Sequence, residues 1–221
     1  MNDFEVYKET ISRENAQTVI NLTDYTDRDN FFLDFEFLSG VNETIWQKYN
    51  ICERYKTRNR RDAENNPYPH NYDAFELLAE QLKPVWDKVN ADRNVDLHIE
   101  NCWGIDLVFY SPNTILTPHV DGFDTVLITC LESRNILTDE GNLLLWQQDE
   151  SSLDKIITEF PDNTDYKHSL HLEQGDTLWM DDKDYYHALT PITQGVRAVS
   201  YTHLRAHETP EHLVCRLLLE K

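Results

Sequence analysis

From Asp96 onward the chain changes rhythm, and that change constrains its fold more than any other feature. DLHIENCWGIDLVFY alternates through Leu97, Ile99 and Cys102, then Ile105, Leu107 and Phe109. Period two over that length reads as two strands or one bent strand. Ser111-Pro112-Asn113 supplies a turn. The runs DTVLITC (124–130) and GNLLLW (141–146) read as further strands. Two more follow at 170–172 and at 177–180, separated by the turn Gln174-Gly175-Asp176, and 185–189 and Val196 onward complete the set. Short strands with frequent turns behind a helical lead-in predict a mainly β chain with N-terminal helices (α+β). The architecture expected is an antiparallel double-sheet jelly roll, the double-stranded β-helix, with supporting helices.

The first 95 residues read differently. DAFELLAEQLKPVWDKV (73–89) places Phe75, Leu78, Leu82, Val85 and Val89 at helical spacing, with Asp73 able to cap and Pro84 predicting a kink. NETIWQKYN (42–50) offers a shorter amphipathic helix with Asn42 as N-cap. The polar stretch between them, 53–71, reads as a loop bearing Arg58, Arg60 and Arg61. It is either a solvated loop or a contact for an acidic substrate. A second polar stretch, 147–168, holds a short helix near 153–160 and is either a lid that keeps water from the site or a surface decoration.

With 221 residues, 40% hydrophobic and 11% aromatic, the chain can bury one core and does not require two. A net charge of -20 gives long-range attraction to nucleic acid or an anionic membrane the wrong sign, so neither is expected as a partner. No apolar stretch reaches membrane-spanning length and the N-terminus lacks a signal-peptide core. Cys52, Cys102 and Cys130 stand singly, which suits a reducing cytoplasm better than a disulfide framework. Oligomeric state is not legible.

His119-Val120-Asp121 is the chemically loaded element. Residues i and i+2 of a strand share a face, so both side chains can reach one ion at a strand end. Pro118 and Gly122-Phe123 bracket the pair as a tight turn, and His187 lies beyond the intervening strands. Two imidazoles and one carboxylate hold one face of a ferrous ion and leave the other open to reactants. The plainer readings are a surface turn for His119 and Asp121 and a satisfied core histidine for His187. His168 and His171, three apart, point to opposite strand faces and make poor joint ligands, and His98 reads as structural. Trp146, Trp179 and Phe109 read as core.

LTPHVDGFDTVLITCLE, GNLLLW, LEQGDTLWM and HALTPITQGVR together resemble successive core segments of the 2-oxoglutarate and Fe(II)-dependent oxygenase superfamily, in its prolyl-hydroxylase-like branch. The resemblance runs from about Trp103 to Arg197. It implies His119, Asp121 and His187 as iron ligands and as the catalytic set. It also implies Arg197, after a Pro and a Gly, as the residue that binds the far carboxylate of 2-oxoglutarate. A guanidinium fork suits that carboxylate, although a surface arginine is the plainer reading. Tyr110 can donate its hydroxyl to the same co-substrate or sit as an interfacial aromatic. The implied activity is a dioxygenase (hydroxylase) using Fe(II), 2-oxoglutarate and O2, with ascorbate left open as an auxiliary. It would hydroxylate an unactivated C–H bond of a small-molecule or peptidyl substrate and release succinate and CO2. The alternatives are a metal-dependent cupin-type isomerase or lyase, which has no need of Arg197, and a non-catalytic jelly-roll binding domain.

From Val199 the chain reads VSYTHLRAHETPEHLVCRLLLEK, which resembles the read-through translation of a sequencing adapter. The expected organisation is therefore one oxygenase domain over 1–198, with a helical lead-in over about 1–95 and a jelly-roll core over about 96–198. Residues 199–221 form a non-native tail whose His203, His207, His212 and Cys215 are set aside as ligands. Loss of the natural final strand would leave a sheet edge unpaired and lower stability.

Overall fold

A computed structural model describes residues 4–22, 31–33, 50–58, 72–93, 102–148, 152–162 and 165–204. In chain order the elements are β1 (Phe4–Tyr7), α1 (Arg13–Leu22), β2 (Phe31–Leu33), β3 (Asn50–Ile51), β4 (Glu53–Arg58), α2 (Tyr72–Arg93) and β5 (Cys102–Tyr110). They continue with β6 (Thr114–His119), β7 (Thr125–Arg134), β8 (Leu143–Gln147), α3 (Leu153–Glu159), β9 (His168–Leu170), β10 (Thr177–Asp181), β11 (Tyr185–Ile192) and β12 (Val196–Leu204).

Two sheets form, in the orders β1-β10-β7-β12-β5-β4-β2 and β3-β6-β11-β8-β9. Among the described pairs only β3 with β6 runs parallel. Period two in the sequence becomes two buried faces of the larger sheet. Val108 and Tyr110 of β5, Ile128 and Cys130 of β7, and Val199 and Tyr201 of β12 meet Leu116, Leu143, Leu145 and Leu189 of the smaller sheet. Their sequence neighbours Leu107, Leu127, Leu131 and Ala198 face the other way and pack under α1 and α2. Strands covered on both faces read as near-continuous apolar runs, as 124–130 does. Each fully buried Leu or Ile in these layers contributes about 1.5–3 kcal/mol relative to exposure.

The 73–89 helix is present and extends to Tyr72–Arg93, with Pro84 inside it. Leu78, Leu82, Val85, Trp86 and Val89 are its buried stripe. The expected 42–50 helix lies outside the described residues except for Asn50, which is in β3. Residues 53–58 form β4 rather than loop, pairing with β5 from Glu53↔Phe109 to Arg58↔Gly104. Backbone hydrogen bonds to a neighbouring strand override the low strand propensity of a charged run. The lead-in also supplies β1, which pairs with β10 far along the chain. Helix α3 packs Ile156 and Phe160 on Trp146, Ile115 and Ala188, so this part of 147–168 covers the outer face of the smaller sheet.

β12 runs through Val199 to Leu204 without interruption and lies between β5 and β7, in the interior of the larger sheet. Val199, Tyr201 and Leu204 are buried there. Residues 205–221, with His207, His212 and Cys215, lie outside the described residues.

Candidate active site

The site begins where β6 ends. His119 is the last residue of β6 and sits directly opposite His187 of β11. Opposed residues on adjacent antiparallel strands share a face, and the two rings lie 4.3 Å apart at their centroids. Asp121 follows two residues later and turns its carboxylate to the same side. His119 Nε2 is 3.5 Å from Asp121 Oδ1 and His187 Nε2 is 3.4 Å from Oδ2. One donor atom from each of the three residues falls within 4.8 Å of the others, a set that can hold a metal ion. His119 Nδ1 is 2.6 Å from the Thr117 carbonyl oxygen, to which it donates, leaving Nε2 with its lone pair toward Asp121. Gly122 then reverses the chain at φ +76, a left-handed conformation that glycine adopts without penalty.

Burial sets the electrostatics. His187 is fully buried, and neither of its ring nitrogens has a hydrogen-bond partner. Burial lowers the His119 pKa, and the charge of His187 lowers it further, so the neutral ring that a metal requires is favoured. Burial works to raise the Asp121 carboxyl. The charges of His203 and His187 outweigh it, with His119 Nε2 and His187 Nε2 facing its two oxygens at 3.5 and 3.4 Å, and hold the group well below the usual carboxylate range.

Arg197 lies at the start of β12, opposite Tyr110 of β5. It is 2% exposed, and Nη1 donates a hydrogen bond to the Leu172 carbonyl at 3.3 Å. Nε has no hydrogen-bond partner, and among the described residues no acidic side chain forms an ion pair with it. A buried guanidinium so placed can receive an anion. Tyr110 is also buried, with its hydroxyl 3.3 Å from that of Tyr201. The Tyr201 ring stacks at 6.5 Å on His187. Tyr201 and Tyr110 therefore line one interior wall between the histidine and Arg197.

Two neighbours were not anticipated as site residues. Asp182, just after β10, is 1% exposed and accepts the backbone N–H groups of Asp121, Gly122 and Phe123. His203, set aside with the tail, places Nε2 3.4 Å from Asp121 Oδ2 and stacks on Phe123. Tyr201 belongs to the same tail-like segment. Asp182 is one of three acids in DDKD, and no pattern in sequence separates it from the others. A cleft of about 380 Å³ opens beside the turn, lined by Val120, Gly122, Phe123, Gln148, Asp182 and Lys183 among others. His168 packs on Phe4 and Tyr185, and His171 contacts Asn142, so neither joins the site. His98 lies outside the described residues.

The metal-ready triad at a strand end of a jelly roll, with a buried cation on the other sheet, agrees with the sequence comparison. Residues 111–200 match the family model described as 2OG-Fe dioxygenase. The cofactors of that class are Fe(II) and 2-oxoglutarate. Solved structures with the same fold include a viral collagen prolyl hydroxylase from Paramecium Bursaria Chlorella virus-1 in complex with 2OG. It is 14% identical with TM-score 0.56, over 93% of this chain and 97% of that one. A prolyl-4-hydroxylase from Pseudomonas putida is 10% identical with TM-score 0.60, over 94% and 95% of the two chains. HygX from Streptomyces hygroscopicus, with nickel and 2-oxoglutarate bound, is 11% identical with TM-score 0.61, over 90% and 81%. The common fold is the double-stranded β-helix. No curated protein matches the sequence. No helix among the described residues is long and apolar enough to cross a membrane.

Proposed function

We propose that this protein is an Fe(II)- and 2-oxoglutarate-dependent hydroxylase in which His119, Asp121 and His187 ligate the iron and Arg197 anchors the co-substrate. The observation that carries the assignment is the pairing of a three-donor cluster with a buried, unpaired guanidinium on one interior wall. The donors fit iron: nitrogen and carboxylate oxygen on one side, with no fourth member of the cluster among the described residues. When bound, iron would activate O2, which takes two electrons from 2-oxoglutarate, leaving succinate and CO2, and two from a substrate C–H bond, leaving the hydroxylated product. The chain's own part is to bind, orient and exclude water.

In this reading Arg197 holds the distal carboxylate through charge-assisted hydrogen bonds, and Tyr110 offers its hydroxyl to the same molecule. Leu172, whose carbonyl accepts from Arg197, and Ile192, which shares with it the space beside Gly141, belong to the buried apolar cluster and keep that end dry, which strengthens the pairing. A cupin-type isomerase gives Arg197 no task, so the buried cation favours the oxygenase. The substrate class we propose is peptidyl proline. Several fold neighbours are prolyl hydroxylases, one of them, from Trichoplax adhaerens, in complex with a peptide fragment of hypoxia inducible factor. The oxygenase domain expected over about 1–198 takes in β12 as far as Leu204, and the buried cysteines Cys52, Cys102 and Cys130, outside any disulfide, suit a reducing cytoplasm.

The test is succinate release from 2-oxoglutarate with Fe(II), in the presence of proline-containing peptides. Turnover that is stimulated by peptide and lost in His187→Ala supports the proposal. Binding of Fe(II) with no 2-oxoglutarate affinity argues for a metal-dependent enzyme of another kind.

A further inference from the structure

We infer that Asp182 is the positioning residue of this metal centre, a buried carboxylate that fixes Asp121 and orients His187 without itself being a ligand. The inference rests on the metal site proposed above. Its observation is a single side chain that reaches both the turn carrying Asp121 and the ring of His187 within β11. Oδ1 accepts the Asp121 N–H at 3.1 Å, and Oδ2 accepts those of Gly122 at 2.6 Å and Phe123 at 3.0 Å. Oδ1 also lies 3.9 Å from His187 Nδ1, the nitrogen on the far side of the ring from Asp121.

Both histidines need a group to set which nitrogen carries the proton. For His119 that group is the Thr117 carbonyl. For His187, buried with Nδ1 lacking a hydrogen bond, Asp182 supplies the carboxylate that faces Nδ1. At 3.9 Å the charge acts without a formed hydrogen bond, and it favours the tautomer with the proton on Nδ1 and the lone pair on Nε2. The three backbone bonds do the complementary work. They hold the left-handed Gly122 turn, which has no strand partner of its own, and so set where the Asp121 carboxylate stands. Gln148 ties the arrangement down from outside by donating to the Asp182 carbonyl at 2.8 Å. Asp182 is excluded from the ligand cluster itself, whose members are His119, Asp121 and His187.

A carboxylate that merely capped a turn would affect stability alone. Asp176 is the control, being 2% exposed and bonded to the Glu9 and Glu173 backbones and to Lys8, with no contact to the triad. Asp182→Asn and Asp176→Asn should both lower the melting temperature of the metal-free protein. Only Asp182→Asn should weaken Co(II) binding, by about 10–100-fold in chelator competition, and shift the visible absorption of the bound Co(II). An Asp182→Asn protein with wild-type Co(II) affinity and spectrum overturns the inference. A second measurement needs no variant: in the wild-type protein loaded with Zn(II), nitrogen NMR should find the His187 proton on Nδ1. Metal on Nδ1 with the proton on Nε2 overturns it equally. A wild-type protein that binds no Co(II) sinks the metal-site reading itself, which separates the two failures.

Discussion

Replacing Arg197 by methionine should make the protein more stable and less able to bind 2-oxoglutarate, two effects of opposite sign from one substitution. Arg197 is 2% exposed, bonded to the Leu172 carbonyl and without an acidic partner among the described residues. In the co-substrate-free protein its desolvation is therefore scarcely offset. Exchange of buried ionic groups for apolar ones of similar volume is often stabilising by about 1–4 kcal/mol. A domain of this size shifts about 2–4 °C per kcal/mol, so the metal-free variant should melt several degrees higher. The co-substrate feels the reverse. Removing one member of a buried charge pair costs about 3–5 kcal/mol, because the carboxylate left behind is desolvated and unpaired. At about 1.4 kcal/mol per tenfold, the Kd should rise about 10²- to 10⁴-fold. The assay is a pair of measurements on wild type and variant: thermal melting without ligand, and calorimetric titration of 2-oxoglutarate into Mn(II)-loaded protein. A variant that melts lower yet binds 2-oxoglutarate normally would refute the reasoning, because Arg197 would then be a structural group.

Metal removal gives a second test. Saturation at about 100 times Kd stabilises by about 2.7 kcal/mol, so a chelator should lower the melting temperature by roughly 5–11 °C. No shift in wild type, or the same shift in His187→Ala, contradicts the ligand assignment. The two turn glycines should differ. Gly122 at φ +76 has nothing within 4 Å of an added Cβ, so Gly122→Ala pays only the left-handed penalty of about 1–2 kcal/mol. At Gly195, φ +81, a Cβ collides with the backbone of Arg134 and Asn135, and Gly195→Ala should cost on the order of 3–4 kcal/mol by denaturant titration. Equal losses would contradict the turn geometry. Finally, burial holds the His119 pKa below its ordinary 6.5, so below that pH the unfolded chain takes up the proton first. The stability that His119 contributes is present above 6.5 and is lost as pH falls below it. Metal-free protein should melt lower at acid pH, and His119→Asn should flatten that dependence; an unchanged profile in the variant excludes His119 as its source.

Local chemistry alone determined a good part of this protein. The i, i+2 geometry of a strand makes His119-Val120-Asp121 a potential ligand pair wherever the strand lies. The apolar stripe of 73–89 needs only the helical repeat to be read, and β5, β7, β8, β10, β11 and β12 needed only their apolar patterns and turns, whereas β9 lies at His168–Leu170 rather than at the expected 170–172 because its pairing with β8 sets its bounds. Tertiary structure decided what depends on partners distant in the chain. β4 is a strand because β5 offers it hydrogen bonds, although ERYKTR carries no apolar alternation. β1 exists through pairing with β10, more than 160 residues away. His187 faces His119 through the register of β11 against β6, which no local pattern encodes. Burial turned Arg197 from one charge among many into an unpaired cation, and folding brought Asp182 and His203 to Asp121. The physical reason is common to all of these. Periodicity reports which face a residue occupies within its own element, whereas desolvation and hydrogen-bond partnership depend on which other element that face meets.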